Sequence, residues 1–484
     1  MKPTAALAAL ALALPVIACA PAQAPAPPST RTTSPTSAAA QLTGAQTAFL
    51  DTLAERTFRW FWELSDSTTG LTPDRYPTRS FVSVGAMGFA LTAYPIGTER
   101  GWITRRQAAE RTLNTLRFMW QSSQDSLGPH TTGYRGFFYH FLDPKTGERF
   151  EKVELSTIDN ALLLAGALFC QSYFDRADKN EVQVRALAES LYIRADWTWT
   201  QTRPPKMSLG WSPEEGFLPY DWGGYNEALL EMILALGSPT HPVDKHAYDA
   251  YVKGYRWGSF HGYQYIGFAP LFGHQYPHTW IDFRGIQDDS TRAHGIDYYE
   301  NARRATLAQR SYAIANPSGF RDYGGDIWGL TACDGPMDRT LTIDGRKREF
   351  HSYEGRGASH ERVTDDGTLC PAALGGSVPY SPLETTRALM TIRARYGAAV
   401  YGEYGFIDAF NPTLNIETKI QAGRIIPGVG WFDTDRLGID QGPMLAMIEN
   451  ARSGLIWRTM RKNPHLIRGL QRAGFRGGWL DQTK

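Results

Sequence analysis

From residue 45 onward one helical pattern follows another, and the helices are of two kinds. Arg105 to Gln121 repeats apolar side chains at helical spacing (Ala109, Leu113, Leu116, Trp120) and is charged between them, the pattern of a helix with one buried face. Val84 to Leu91, Ala161 to Leu168 and Leu229 to Leu236 are apolar or small on nearly every side, the pattern of helices enclosed all round. Candidate helices fall at about 45–63, 82–95, 104–122, 156–174, 181–198, 225–237, 243–253, 292–315, 385–397, 441–452 and 463–473. Enclosed helices alternating with one-sided ones predict an all-α fold of two concentric rings, an (α/α) toroid. A helical solenoid would need a fixed repeat period, and the sequence has none. Short strands are expected only in loops such as Gly136 to Leu142.

The first 44 residues do not share this pattern. Lys2 precedes an apolar run from Ala5 to Ile17, too short for a stable membrane span, which ends in Val16-Ile17-Ala18-Cys19. This reads as a lipoprotein signal peptide over 1–19, with Cys19 as the lipidated residue; a plain secretory leader is the alternative. Residues 20–44 are nearly all Ala, Pro, Ser, Thr and Gln and predict an extended tether. The folded domain is then 45–484. The chain is expected to be exported and lipid-anchored, at the periplasmic face of the outer membrane or the cell surface of a Gram-negative bacterium. Of the other cysteines, Cys170 lies in an apolar run and reads as a buried thiol. Cys333 and Cys370 lie in loops and can pair in an oxidising compartment. A net charge of +1 gives no electrostatic case for nucleic acid.

Several enclosed helices follow loops that carry acids and aromatics. Ser156-Thr-Ile-Asp159 reads as a capping box, Asn226 as an N-cap, and Ser381-Pro382-Leu-Glu384 as a cap followed by Pro and an acid. Inner-ring helices starting this way would present their first turns on one rim, around one cavity. Glu154, Asp159 and Glu227 fall on that rim. Burial there raises a carboxyl pKa towards a general acid's range, whereas a helix N-terminus favours the charged form. Asp159 reads equally as a capping residue, and Glu227 as a favourable charge in a first turn.

Between Gly267 and Arg284 the chain is dense in groups that bind hydroxyls and stack on rings: His274, Gln275, His278, Trp280, Asp282 and Arg284. His274 and His278 have metal-ligand spacing, but Pro277 separates them and no Glu follows His274. The loops from Trp328 to Pro336, with Asp334, and from Tyr404 to Pro412, with Asp408, place further acids in turn-rich sequence.

Taken together, Phe58–Glu63, Gly136–Phe141, Glu154–Asp159, Tyr225–Glu227, Phe272–Gln275, Trp328–Ala332 and Asp440–Gly442 resemble the bacterial glucoamylase-like domain. That group includes glycoside hydrolase family 144, the endo-β-1,2-glucanases, and the related domain of cyclic β-1,2-glucan synthases. The resemblance covers about residues 50–475. It implies an (α/α)6 toroid and hydrolysis of β-1,2-glucan with inversion and without metal or cofactor. Glu227 is taken as the general acid and Asp159 or Glu154 as the base. Substrate contacts are expected from Tyr139, His140, Trp222, Tyr225, His274, Gln275, His278, Trp280, Asp282, Arg284, Trp328 and Asp334. The expected partner is a glucan, met by a monomer that touches a membrane only through its lipid. Three alternatives stay open: an exo-acting relative or a hydrolase of another glucan, a non-catalytic glycan-binding lipoprotein, and a metal-dependent hydrolase using His274 and His278.

Overall fold

Thr43 starts the first helix. Its hydroxyl accepts from the Gln46 N–H at 3.2 Å, and Gln46 Oε1 accepts the Thr43 N–H at 2.9 Å, so both halves of a capping box are made. The computed structural model describes residues 42–125 and 130–482. The expected leader with Cys19, and residues 20–41 of the expected tether, lie outside the described residues. Residues 42–44 form the approach, cap and first residue of this helix rather than tether.

The described residues are helix-rich. In chain order the helices are α1 (Gly44–Leu64), α2 (Val84–Glu99), α3 (Arg105–Gln121), α4 (Thr157–Tyr173) and α5 (Lys179–Arg194). Then come α6 (Leu229–Gly237), α7 (Lys245–Val252), α8 (Tyr276–Trp280), α9 (Asp289–Ala293) and α10 (Tyr298–Ala315). The last are α11 (Pro371–Gly375), α12 (Pro382–Tyr396), α13 (Gly438–Arg452), α14 (Leu455–Met460) and α15 (Pro464–Ala473). None is long and apolar enough to cross a membrane.

The two kinds of helix occupy the two expected environments. In α2 every residue from Val84 to Gly97 is buried, whereas α3 buries one stripe: Ala108, Ala109, Thr112, Leu113, Thr115, Leu116 and Met119. Trp120, expected on that stripe, is 40% exposed; Met119 takes the inner place and Arg194 lies over the Trp120 ring. The enclosed helices meet in a circuit: α2 packs on α4, α4 on α6, α6 on α8, α8 on α13, α11 on α13, and α13 returns to α2. The one-sided helices flank it, α1 on α2 and α13, α5 on α4, α15 on α6, and α12 on α11.

The α2–α4 contact is made through glycine. A Cβ at Gly88 would stand 2.2 Å from the Leu162 carbonyl oxygen, and one at Gly166 would stand 2.2 Å from the Gly88 carbonyl oxygen. Only hydrogen fits at either position, and the two backbones therefore touch.

Two enclosed helices, α8 and α11, were not expected as helices. Each has five residues and carries Pro in its first turn, too little for a 3.6-residue period to register. Two expected caps also differ. Asn226 accepts from Ala228 N–H at 3.0 Å within a turn, and α6 begins only at Leu229. Ser381 makes no cap bond; its hydroxyl donates to Glu384 Oε2 at 2.5 Å.

Candidate active site

Short strand pairs between the helices stitch the loops of one rim together. Residues 82–83 pair with 141–142, and Val84 N–H donates to the His140 carbonyl at 3.1 Å, which sets His140 beside the start of α2. Residues 155–156 pair with 210–211, fixing Glu154 at the entry to α4. Arg75–Tyr76 pairs with 436–437, so Arg75 lies beside the entry to α13. From the first turn of α8, the Tyr276 hydroxyl donates to the Ile439 carbonyl in α13 at 3.1 Å.

His140 bridges two carboxylates. Its Nδ1 is 2.8 Å from Glu154 Oε1 and its Nε2 is 3.3 Å from Asp159 Oδ2. Burial disfavours the imidazolium, but the charges of Asp159 and Glu154 outweigh it and lift its pKa to about 9. Burial likewise opposes the Glu154 charge, and the bond to His140 overcomes it, leaving its pKa below the usual range. The Ser156 hydroxyl donates to Asp159 Oδ2 at 2.6 Å. The expected capping box is therefore half made: Ser156 caps α4, but the Asp159 carboxylate does not return to the Ser156 backbone. Its Oδ1 is buried without a hydrogen-bond partner, in space kept open by Gly85, where a Cβ would come within 2.5 Å of it.

Glu227 occupies the turn before α6. Burial, helped by the nearby charge of Asp159, raises its pKa to about 7, and its Oε2 is enclosed without a partner. One helical turn further on, Glu231 is fully buried, neither oxygen has a partner, and burial pushes its pKa well up. Trp222 closes this side, its Nε1 donating to Thr157 Oγ1 at 2.9 Å.

A second acidic group stands across Tyr276, whose phenol is pushed well up by burial and by Asp440, Glu227 and Asp159 among its neighbours. Arg75 anchors this group: Nη1 is 2.6 Å from Asp334 Oδ2, and Nε is 3.0 Å from Asp74 Oδ2. The Asp334 N–H donates to Asp408 Oδ2 at 2.8 Å. Asp408 Oδ1 and Asp433 Oδ2 are buried without partners. Burial and mutual repulsion raise Asp440 to about 7, Asp433 to about 8, and Asp408 well up. One oxygen from each of Asp334, Asp433 and Asp435 lies within 4.8 Å of the others, but Arg75 already supplies the positive charge there. Sequence reasoning missed Asp74, Arg75, Asp433 and Asp435, and used Asp440 only as part of a motif. Asp440 was findable, since Leu437-Gly-Ile-Asp440 puts an acid in the first turn of a buried helix.

The rim thus gathers Glu154, Asp159, Glu227, His140, Trp222 and Asp334. Asp334, in its turn-rich loop, is only 7% exposed. The remaining expected sugar contacts are packed away. Tyr139 and Trp328 are fully buried, and Tyr225 packs among Tyr255, His274 and Tyr298. Gln275 bonds the Ala373 carbonyl and the Ser377 hydroxyl, and Trp280 bonds Thr92. Asp282 follows the far end of α8 and pairs with Arg284 and Arg461. His274 and His278 are core histidines whose burial depresses their pKa values, His274 to about 4. Among the described residues no cluster of three potential metal ligands includes either one. These side chains were singled out because they are polar and aromatic, and a helix five residues long gives sequence no way to tell core from cleft.

A buried acid held near neutrality beside a carboxylate paired with an imidazolium is an acid–base arrangement of the kind glycoside hydrolases use. The chain belongs to the family described as "Putative glucoamylase", whose model matches residues 219–464. A crystal structure described in the same words, from Bacteroides uniformis, is 30% identical, superposes with a TM-score of 0.76, and covers 91% of this chain and 99% of its own. An endo-β-1,2-glucanase from Chitinophaga pinensis, solved with sophorotriose and glucose, is 26% identical with a TM-score of 0.76, covering 90% of this chain and 100% of its own. An exo-β-1,2-glucooligosaccharide sophorohydrolase (non-reducing end) from Parabacteroides distasonis is 27% identical over 457 residues, 87% of this chain. The present chain spans 57% of the length of that curated relative.

Proposed function

We propose that this protein hydrolyses β-1,2-linked glucan with inversion, using Glu227 as general acid and Asp159 as general base, on an (α/α)6 toroid. The observation that carries the reading is the meeting of Glu227, Asp159 and His140 on one rim. Glu227 holds its proton up to about pH 7, while Asp159 faces the His140 imidazolium at 3.3 Å. Glu227 donates its proton to the glycosidic oxygen as the C1–O bond breaks. Asp159 accepts a proton from water, whose oxygen attacks C1 from the opposite face. An inverting pair needs roughly 6.5–9.5 Å between carboxyls, room for that water. His140 and Glu154 are positioning residues that hold Asp159 in place. The toroid reading is supported by the closed circuit of enclosed helices flanked by one-sided ones. Linkage is supported by the named activities of the Chitinophaga and Parabacteroides relatives. Endo cleavage is the first reading. Exo release of a disaccharide is the second, favoured by the activity named for the Parabacteroides relative. No metal or cofactor is invoked. Export and lipidation at Cys19, and action as a monomer, complete the proposal.

The test uses the soluble body from about residue 41, linear β-1,2-glucan and a panel of other glucans, with wild type beside Glu227→Gln. Oligomers released from β-1,2-glucan alone, with the α-anomer first by NMR and none from the variant, support the proposal. Disaccharide as the sole early product selects exo action. Intact glycan binding without cleavage of any glucan makes the chain a capture lipoprotein.

A further inference from the structure

Beside the Glu227 turn lies a cavity that no catalytic group occupies. It is a shallow depression, open to solvent, with a volume of about 650 Å³, lined by Tyr255, Arg256, Trp257, His360 and Glu361. Two hairpins form it: residues 257–260 with 263–266, and residues 357–358 with 363–364, whose turn carries His360 and Glu361.

Three features show that the space is built. His294 stacks against the Trp257 indole with ring centroids 3.5 Å apart and planes 6° apart, which fixes the indole as a rigid plate. Glycine stands at both positions where a side chain would strike the His360 ring. A Cβ would lie 2.3 Å from His360 at Gly258 and 2.7 Å from it at Gly267. Both nitrogens of that ring are enclosed and have no hydrogen-bond partner.

The cavity also adjoins the turn that carries Glu227. The Gly223–Gly224 turn that leads to Glu227 packs directly on Gly254, where a Cβ would come within 2.5 Å of the Gly224 nitrogen. The Tyr255 ring stands 5.7 Å from that of Tyr225, two residues before Glu227. On its other side, the strand 354–355, just before the His360 hairpin, pairs with 332–333, which ends beside Asp334.

The lining selects a neutral polyol. An indole plate suits the C–H face of a pyranose ring. Arg256 and Glu361 place opposite charges in the lining, and between them they offer donors and acceptors suited to hydroxyl groups. We propose that this cavity is an outer glucan-holding site, which grips a glucosyl unit of the chain beyond the bond that is cut and takes no part in the cleavage. The inference rests on the proposed glucanase reading.

The test compares Trp257→Ala with wild type on two substrates, long linear β-1,2-glucan and the shortest oligomer that wild type cleaves. In parallel, binding of the long glucan is measured in the Glu227→Gln background with and without Trp257→Ala. The expected result is a kcat/KM that falls about fivefold more on the long glucan than on the short oligomer, with a matching loss of binding, the scale of one lost aromatic contact. Equal falls on both substrates, or unchanged binding of the long glucan, overturn the site. Should Trp257→Ala lower the melting temperature, Arg256→Ala with Glu361→Ala, both at exposed positions, carries the same comparison. A wild type inactive on β-1,2-glucan sinks the glucanase reading itself and is seen before any variant is compared.

Discussion

His140 and Glu154 face each other at 2.8 Å across the mouth of α4, and the imidazole reaches Asp159 with its other nitrogen. Its folded pKa of about 9 lies above its ordinary 6.5. The stabilisation is therefore fully present below about pH 6.5 and is lost as pH rises through about 9. His140→Gln is expected to be about 2–3 kcal/mol less stable than wild type near pH 6, and the gap is expected to close by about pH 10. Urea unfolding of both proteins across that range checks it; a gap independent of pH defeats the ion-pair account.

Glu227 is expected to set the alkaline limb of the rate. As an acid it must hold its proton, so kcat falls as pH rises through about 7. Glu227→Gln is expected to lose about 10²–10⁴ in kcat. The sign for stability is opposite: a carboxyl whose folded pKa is raised costs stability as pH rises from its ordinary 4.5 through about 7. The variant should therefore melt above wild type at pH 8 and with it at pH 4. A rate profile unchanged through pH 8 removes Glu227 as the acid.

Asp282 tests the reassignment of the 267–284 segment. It is 1% exposed and answers Arg284 and Arg461 at the far end of α8. Asp282→Ala leaves those guanidinium groups unpaired and is expected to cost about 3–5 kcal/mol. The kcat/KM per folded molecule should stay at the wild-type value. A selective rise in KM without loss of stability would return Asp282 to the substrate.

Cys333 and Cys370 form a disulfide that closes a loop with a sequence separation of 37 and holds the strand ending beside Asp334 to the first turn of α11. Replacing both by Ser is expected to cost about 3–4 kcal/mol through the entropy of the opened loop. Differential scanning calorimetry with and without reductant measures it, and a wild type insensitive to reductant speaks against the closed loop as a stabiliser.

At Gly88 the prediction is steric. A methyl group there meets the Leu162 backbone at 2.2 Å, and backbone cannot swing aside. Gly88→Ala is expected to lose at least about 1–3 kcal/mol despite the better helix propensity of Ala. A neutral or stabilised variant would show that α2 and α4 have room to part.

The long helices were legible because burial is written into them at 3.6-residue spacing or as unbroken apolar runs. Val84–Leu91 and Ala161–Leu168 announced enclosure, and the structure encloses them. Tyr276–Trp280 is too short to carry a period, so nothing in the sequence signals that His278 and Trp280 within it are buried. Glu154, Asp159 and Glu227 were singled out because each lies at or just before a buried helix, and the structure brings them to one rim. Asp74, Asp433 and Asp435 lie in loops brought to the site by pairings such as Arg75–Tyr76 with 436–437, and no local signal announces a partner hundreds of residues away. Cys333 and Cys370 were paired correctly, but only as one possibility.

The return of α13 onto α2 carries a consequence for how such a chain can vary. A circuit that closes on itself has no terminal unit. If the proposed toroid holds, it can neither gain nor shed a helix pair by extension at an end, as an open stack of repeats can. Change is left to the loops on the rims, where Asp334, His360 and Glu361 already reside. On that reading, descendants of such a chain can change their rim loops while the number of helices stays fixed.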